Sequence, residues 1–462
     1  MARNCLLSLF VSAASIAACS IAVAQNPAIT LQLPTFGIAI DAEGVLSVKT
    51  YADPSGRLML KRLAAARADL PADVLAKSKM RKVSLRKLER EVNRRVTEKE
   101  PLDDEILRLA GIQRIQYIFY LPKSRDILVA GPAEGWIEDL SGRAVGVSTG
   151  KPTLLLEDLI VALRAYGPRS SMDQFIGCTI NPDREGLSRL REFQSTIPRT
   201  VSDRQREEVA KYIDKGMRES LGPASIQVFG VSSKTHFAQV LIEADYRMKR
   251  IGIGLEPPPV KMATFIGMLK RPQHSTLQRW WFTPNYECVR VTDDRSAMEL
   301  VGQGVQLQGE DKLIGADGSL AATGAKSGKA SELFTTSFTK KYEDISAASP
   351  VFAQLRNMID VIIAAAFIRH EDYYARADWH LGIFGDEEAL PVETLSNPRQ
   401  VPCAVNVLWK GSRLLAPAGG GVSIRPSLAL QDGLLLTDDN GLLAKQHEHV
   451  LKDPPRDRWW WD

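Results

Sequence analysis

The chain has 462 residues, of which 44% are hydrophobic and 25% charged, and its formal net charge is +4 at pH 7. The length is sufficient to bury a large core, and the composition is ordinary for a soluble globular protein. The small net charge does not by itself indicate a nucleic-acid-binding protein.

The N-terminus carries the pattern of an export signal. Arg3 precedes an apolar run over residues 6–23, and Ala22–Ala24 forms an A-x-A cleavage site. Residues 1–24 are therefore predicted to be a signal peptide, which places the mature chain in the periplasm, at the cell surface or in the medium. The alternative is lipidation of Cys19, which would tether the protein to a membrane without a transmembrane span.

A strongly basic stretch, residues 57–99, lies in a predicted N-terminal helical and β-hairpin region, residues 25–168. Leu85, Leu88 and Val92 give one helix here a thin apolar stripe. The candidate anion-binding residues around it are Arg81, Lys82, Arg86, Lys87, Arg90, Arg94 and Arg95. A solvated helix face is the favoured interpretation, and the alternative is contact with an anionic envelope polymer or another envelope protein. Nucleic acid is disfavoured, because no aromatic side chains for base stacking lie between the basic residues.

Two predicted strands alternate with helices in a core domain that we place at residues 169–380. The strands cover residues 175–180 and 226–231, and both lie between turn signals. This β-α-β-α order predicts that they are parallel neighbours in one sheet. Neither turn has the glycine pattern of a dinucleotide site.

The helix after the second strand is predicted over residues 234–250, with Ser233 as its N-cap. Its apolar face consists of Phe237, Val240, Leu241, Ala244, Met248 and Ile251. Glu243 with Arg247, and Asp245 with Lys249, are acid–base pairs at i,i+4 spacing.

Glu243, Asp245 and Arg247 form a candidate polar junction, for which two interpretations stay open. The first is a set of exposed i,i+4 pairs. The second is a buried junction where the helix exit, residues 252–256, meets the rest of the domain, because glycines there allow a close backbone approach.

The run EADYRMKRIGIGLEP, residues 243–257, resembles a bacterial exported family catalogued as domain of unknown function number fifteen ninety-eight. Residues 177–190 and 337–357 support the resemblance. It implies a bacterial, exported protein, and it implies no particular chemistry.

The later part of the chain combines β segments with one apolar helix. Residues 277–292 are predicted to form a hairpin that turns at Pro284-Asn285. The helix that starts at Pro350 is predicted to be a core helix, because its apolar run is too short to span a membrane and contains Asp360. Residues 381–462 are predicted to be β-rich, and we expect the Trp tail, residues 459–461, to dock on the protein itself or on a partner.

No cofactor fingerprint or catalytic triad stands out in the sequence, and no cofactor or metal is predicted. His370 and His380 with Asp372 and Asp378 could converge on a metal, but solvated or capping roles are favoured. Cys178, Cys288 and Cys403 are expected to be buried free thiols, with one internal disulfide as the alternative.

The predicted fold class is α+β, with a mixed sheet that contains the β-α-β-α unit, an N-terminal helical and hairpin region and a C-terminal β-rich segment. The predicted function is a non-catalytic binding or scaffolding protein of the envelope. The alternative is an envelope hydrolase with a carboxylate-based site near Glu243 and Asp245.

Overall fold

Two mixed β-sheets and the helices packed on them make up an α+β fold. The structure is a computed structural model that describes residues 35–41, 44–197, 201–270, 276–315, 317, 319–322, 328–410, 412–452, 455 and 457–462. Residues 33–462 form one compact unit. The predicted signal peptide, residues 1–24, and Cys19 lie outside the described residues. The division at residues 168 and 380 stays a prediction.

The helices and strands of the described chain are as follows. The helices are α1 (Arg57–Asp69), α2 (Ala72–Leu75), α3 (Leu85–Glu98), α4 (Asp104–Leu107), α5 (Leu156–Ala165), α6 (Arg184–Thr196), α7 (Arg206–Leu221), α8 (His236–Gly252), α9 (Phe265–Met268), α10 (Lys329–Lys340), α11 (Tyr342–Ala348), α12 (Pro350–His370), α13 (Tyr373–Arg376), α14 (Pro426–Ala429) and α15 (Leu442–Lys452). The strands are β1 (Thr35–Ile40), β2 (Leu46–Tyr51), β3 (Ser78–Ser84), β4 (Tyr117–Leu121), β5 (Asp126–Ala133), β6 (Trp136–Glu138), β7 (Ala144–Gly146), β8 (Ile176–Asn181), β9 (Pro223–Phe229), β10 (Thr276–Pro284), β11 (Val289–Val291), β12 (Ala297–Leu300), β13 (Val305–Ile314), β14 (Leu320–Ala322), β15 (Gln400–Pro402), β16 (Val405–Lys410), β17 (Ser412–Ile424), β18 (Leu436–Thr437) and β19 (Trp460–Trp461).

The larger sheet has the strand order β14-β13-β10-β17-β8-β9-β15, with β16 paired to β17. The smaller sheet has the order β18-β11-β12-β4-β5-β3-β19. Each is mainly antiparallel and contains one parallel pair, β10 with β17 and β11 with β18. The smaller sheet takes strands from near both ends of the chain, because β19 adds to the edge of β3.

The prediction that the strands of the β-α-β-α unit run parallel is wrong. β8 and β9 are neighbours, but they pair antiparallel, with Cys178 opposite Val228. Two helices, α6 and α7, separate them and pack against each other. A single helix carries the chain back to the edge of the sheet where the first strand began, so the next strand runs parallel to it. A pair of packed helices brings the chain back to the edge where the first strand finished. β9 therefore begins where β8 finishes and runs in the opposite direction.

The predicted hairpin at residues 277–292 is also wrong, because its two halves lie in different sheets. β10 belongs to the larger sheet and β11 to the smaller one. β10 instead pairs with β17, where Gly420 faces Trp280 at a φ of +116°. A Cβ atom on Gly420 would lie 1.9 Å from the Trp280 carbonyl oxygen, so the glycine permits this strand pairing.

Helix α12 passes through the centre of the core. Among the described helices it is the one long and apolar enough to cross a membrane by length and composition, and all of its apolar window is buried inside the protein. It packs on α5, α8 and α11. The Trp tail is also docked on the protein, since Trp460 is 1% exposed and its Nε1 donates to Oε1 of Glu105 at 2.5 Å.

Cys178, Cys288 and Cys403 are buried and carry free thiols. Burial raises the pKa of both Cys288 and Cys403 to about 12, so these thiols stay protonated at neutral pH. The three side chains act as small apolar groups in the core.

Candidate functional site

The charged residues in the middle of α8 lie in the interior. Glu243, Asp245, Arg247 and Lys249 are each 2% exposed or less, and every residue from Val240 to Lys249 is buried. The helix begins two residues later than predicted, and Thr235 rather than Ser233 is its N-cap, with its hydroxyl accepting from the N–H of Ala238. Helix α8 packs on β8 and β17 of the larger sheet and against α5 and α12. Charges enclosed in this way are stable only when they are paired.

Arg247 stands at the centre of the first group of buried charges. Its Nε and Nη2 donate to Oε1 of Glu256 at 2.9 and 2.7 Å. Gly254, with a φ of +79°, turns the chain after the helix so that Glu256 comes back beside it. Nη1 of Arg247 lies 3.8 Å from Oε1 of Glu243. Oε2 of Glu243 accepts from Nη2 of Arg143 at 2.5 Å, so each of the two carboxylates has an arginine partner.

Asp245 and Lys249 form the second buried pair. Nζ of Lys249 lies 2.7 Å from Oδ2 of Asp245 and also donates to the carbonyl of Ile180 on β8 at 3.0 Å. Burial raises the pKa of Asp245 to about 6, although the charge of Lys249 opposes this. Burial also lowers the pKa of Lys249, against the effect of Asp245. The pair therefore fastens the helix to the sheet beneath it.

A histidine–aspartate pair extends the polar groups to the start of α8. Nδ1 of His236 lies 2.9 Å from Oδ2 of Asp158, which is on α5 and buried. On the other side, Nε2 of His236 is 3.4 Å from the amide nitrogen of Gln354, and Oε1 of Gln354 accepts from Nε of Arg143 at 2.8 Å. Burial opposes protonation of His236, but the Asp158 carboxylate outweighs it and raises the pKa of His236 above 6.5.

Helix α12 contributes a polar stripe to the same interior. Gln354, Asn357 and Asp360 follow one another at three-residue spacing and are at most 6% exposed. Asp360 accepts from Nε of Arg114 at 2.5 Å, and Nη1 of Arg114 donates to the carbonyl of Gly302 at 2.8 Å. Burial raises the pKa of Asp360, and the Arg114 charge opposes that increase.

We call this set the interior ion network and define it as Arg114, Arg143, Asp158, His236, Glu243, Asp245, Arg247, Lys249, Glu256, Gln354 and Asp360. Each of its carboxylates lies against a cationic side chain or a histidine. Pairing of this kind offsets the cost of burying each carboxylate and fixes its position. The arrangement is suited to joining α5, α8, α12 and the larger sheet.

An open pocket with polar and apolar lining residues lies beside this network. It has a volume of about 760 Å³ and is bordered by the C-terminal half of α5, the loop before β8, the loop before α8 and residues 387–393. We call it the α5 pocket. Its polar lining residues include Arg164, Ser170, Ser232, Thr235, Glu387 and Glu393. The carboxylates of the candidate junction, Glu243 and Asp245, do not line it.

The segment from β8 to the start of α9 gives the match to known families. Residues 178–265 match DUF1598, a protein family of unknown function. The DUF1598 segment contains all of α8, Glu256 and the loop that lines the α5 pocket before α8. No curated protein and no solved structure is significantly similar to the chain.

The candidate anion-binding residues lie outside the DUF1598 segment, and the structure does not join them into one surface. Arg81 and Lys82 are on strand β3 rather than beside a helix, and both are buried. Nε and Nη2 of Arg81 donate to the side-chain carboxylate of Asp462 at 2.8 and 3.0 Å. Nη1 donates to the carbonyl of Ala110 at 2.6 Å, and the guanidinium group stacks on Trp460.

The remaining candidates lie on α3, where several are already paired. Arg94 and Arg95 both contact Glu91, at 2.9 and 2.8 Å. Arg94 also contacts Glu98 and Glu100, and Arg95 contacts Asp103 at 2.6 Å. Arg86 and Lys87 donate to the backbone carbonyls of Arg125 and Pro455. Arg90 is exposed and makes no ion pair with any of the described residues.

Sequence reasoning missed the members of the interior ion network that lie outside the charged middle and exit of α8, namely Arg114, Arg143, Asp158, His236 and Gln354. Arg143, Asp158 and Arg114 come from elements far along the chain from α8 and carry no local signal. A local signal was present on α12, at Gln354, Asn357 and Asp360. Polar residues at three-residue spacing inside an apolar core helix indicate that buried polar partners are needed.

Proposed function

We propose that the protein is exported and acts in the bacterial envelope as a non-catalytic binding protein, with its ligand in the α5 pocket. The observation that carries this proposal is the separation of the buried carboxylates from the accessible concave surface. Glu243 and Asp245 are at most 2% exposed and are paired with cations, whereas the α5 pocket has polar side chains open to a ligand.

The pocket has the dimensions and lining that small-molecule sites share. Such sites measure roughly 300–1,000 Å³ and combine apolar walls with a few polar groups. The α5 pocket, at about 760 Å³, falls within that range. The alternative, an envelope hydrolase that uses Glu243 or Asp245, would need a path from solvent to a carboxylate that is free of its cation.

Equilibrium dialysis of the mature protein, residues 25–462, tests the binding function. The probe is the low-molecular-weight fraction of a bacterial envelope extract, followed by mass spectrometry. We expect the protein to concentrate at least one compound. The mass of that compound should be unchanged after prolonged incubation with the protein. Ala165→Trp, which fills the pocket from α5, should abolish the enrichment, whereas Ala68→Trp on the exposed face of α1 should not.

Two results would contradict the proposal. The first is the accumulation of new masses in the presence of wild-type protein, which would indicate turnover. The second is equal enrichment by the wild type and Ala165→Trp.

Export is tested separately by N-terminal sequencing of the protein recovered from the periplasm, which should begin at Gln25. A retained Met1 would contradict export, and a lipidated Cys19 would establish the anchored alternative.

A further inference from the structure

Arg164 is the cationic group of the α5 pocket. It lies on α5, and its Nε donates to the carbonyl of Phe384 at 2.7 Å. Its Nη2 donates to the carbonyls of Asp386 and Leu390 at 3.0 and 2.8 Å. Among the described residues it makes no salt bridge with a carboxylate, and the two N–H donors of Nη1 take part in none of these three bonds. The guanidinium group is thus fixed in place and still has donors for an anion.

The acidic groups of the pocket, Glu387 and Glu393, lie within and just after the segment that Arg164 holds. Glu387 and Glu393 both line the pocket and are exposed. Glu387 lies between Asp386 and Leu390, the two residues whose carbonyls accept from Nη2 of Arg164. Glu393 has Lys234 as a neighbour at 3.8 Å. One fixed cation and two exposed carboxylates therefore border one cavity.

The apolar lining residues of the pocket are short and aliphatic. They include Val161, Ala165, Val231 and Val392, and Pro391 also lines the pocket. Val161 and Val392 are buried, and Ala165 and Val231 are half-buried. Side chains of this size leave space for a small aliphatic group and provide no aromatic surface on which a sugar or a base would stack.

We propose that the α5 pocket binds a short zwitterionic peptide that ends in a small aliphatic residue. The terminal carboxylate lies against Nη1 of Arg164, the aliphatic side chain contacts Val161 and Val392, and the ammonium group faces Glu387 and Glu393. This inference rests on the proposed binding function and names its ligand class. The volume of about 760 Å³ is much larger than a single amino acid needs, which favours a peptide of a few residues.

Calorimetric titration of the mature protein with three dipeptides tests the ligand class. The probes are Ala-Ala, its C-terminal amide and its N-acetyl derivative. Because the amide removes a charge-assisted hydrogen bond to a partly buried guanidinium group, its affinity should fall by about tenfold or more. Acetylation removes an attraction to exposed carboxylates, so it should weaken binding only by roughly two- to fivefold.

Protein variants provide the matched control. Arg164→Lys keeps the charge but loses the planar fork, and it should weaken Ala-Ala binding, whereas Arg169→Lys on the adjacent exposed surface should leave it unchanged. Glu387→Gln with Glu393→Gln should reduce binding of Ala-Ala and should not weaken binding of N-acetyl-Ala-Ala, which has no ammonium group and is an anion. Because Arg164 also anchors residues 384–390, the comparison of the free acid with the amide on the wild-type protein decides the question even if the variant is unstable.

Equal affinities for Ala-Ala and its amide would overturn the inference. Capture of an envelope compound that Ala165→Trp abolishes, without binding of any of the dipeptides, would overturn the ligand class and leave the proposed binding function intact. Failure of both experiments would overturn both.

Discussion

Two acid–lysine pairs in this protein have the same local geometry and opposite surroundings. Asp245 and Lys249 on α8 are four residues apart, with 2.7 Å between Oδ2 and Nζ. Glu207 and Lys211 on α7 are also four residues apart, with 2.8 Å between Oε1 and Nζ. The side chains of the first pair are at most 1% exposed, whereas those of the second are 83% and 75% exposed.

The comparison shows that the spacing of charges along a helix does not determine what a pair does. The exposed pair interacts in water, where the attraction is small and side-chain entropy opposes it. The buried pair has lost its hydration, so either charge without the other would be strongly destabilising. What separates the two is the apolar content around them, since Ala244, Met248 and their neighbours on α8 face packed elements on several sides.

The largest effect is expected from Arg247→Met. This change leaves the carboxylates of Glu243 and Glu256 buried without Arg247, and it should lower the free energy of unfolding by about 3–5 kcal/mol. Urea unfolding followed by tryptophan fluorescence measures the loss. The matched control is Arg95→Met on α3, whose ion pairs with Glu91 and Asp103 are partly exposed and should be worth less than about 1 kcal/mol. If Arg247→Met lowers the free energy of unfolding no more than the control does, the α8 charges are not stabilised by burial and pairing as described.

An intermediate effect is expected from Arg81→Lys in the basic stretch. A lysine cannot reproduce the donors that Arg81 supplies to Asp462, Ala110 and other carbonyls, and buried acceptors without donors should cost at least about 2 kcal/mol. The same measurement on Arg90→Lys, an exposed position of α3, should give no resolvable change. Equal stability of the two variants would contradict the claim that Arg81 has a structural role that the exposed Arg90 lacks.

A smaller, pH-dependent effect should distinguish the pair of His236 and Asp158. The pKa of His236 is raised above 6.5 in the folded state, so its contribution to stability is fully present below pH 6.5 and is lost as the pH rises through the folded pKa. The stability difference between the wild type and His236→Gln should therefore be larger at pH 5.5 than at pH 8.5. Taking the difference cancels the titration of Asp245, which both proteins share.

Two controls accompany the pH experiment. His380→Gln, at an exposed position, is the matched histidine substitution. The ion pairs of α3 should also be constant in this range, because hydrogen bonds from Arg94 lower the pKa of Glu91 to about 2 and the stability they add is lost only as the pH falls below 4.5. A His236→Gln difference that is flat or increases with pH would contradict the assignment.

The sequence predicted local features of α8 more accurately than its partners. The helix limits were correct to within two residues, and Phe237, Val240, Leu241 and Met248 are buried as expected. The burial of its charges could not be decided, because that depends on α5, α12 and the larger sheet closing around it. Arg143 lies 100 residues from its partner Glu243, and Asp158 lies 78 residues from its partner His236. Patterns of local residue spacing cannot predict contacts at such separations. The direction of β9 was mispredicted for a related reason, since strand pairing is set by how α6 and α7 pack.

The central claim is that the α8 charges stabilise one another inside the protein, and a double-mutant cycle tests it most directly. The cycle uses Asp245→Leu, Lys249→Met and the double variant, beside the equivalent cycle with Glu207→Leu and Lys211→Met. We predict a coupling free energy of about 2–3 kcal/mol for the buried pair, near the upper end for residues in contact, and no measurable coupling for the exposed pair. The double variant on α8 should recover most of the stability that either single change loses. Equal coupling in the two cycles, or single α8 variants as stable as the wild type, would contradict the account.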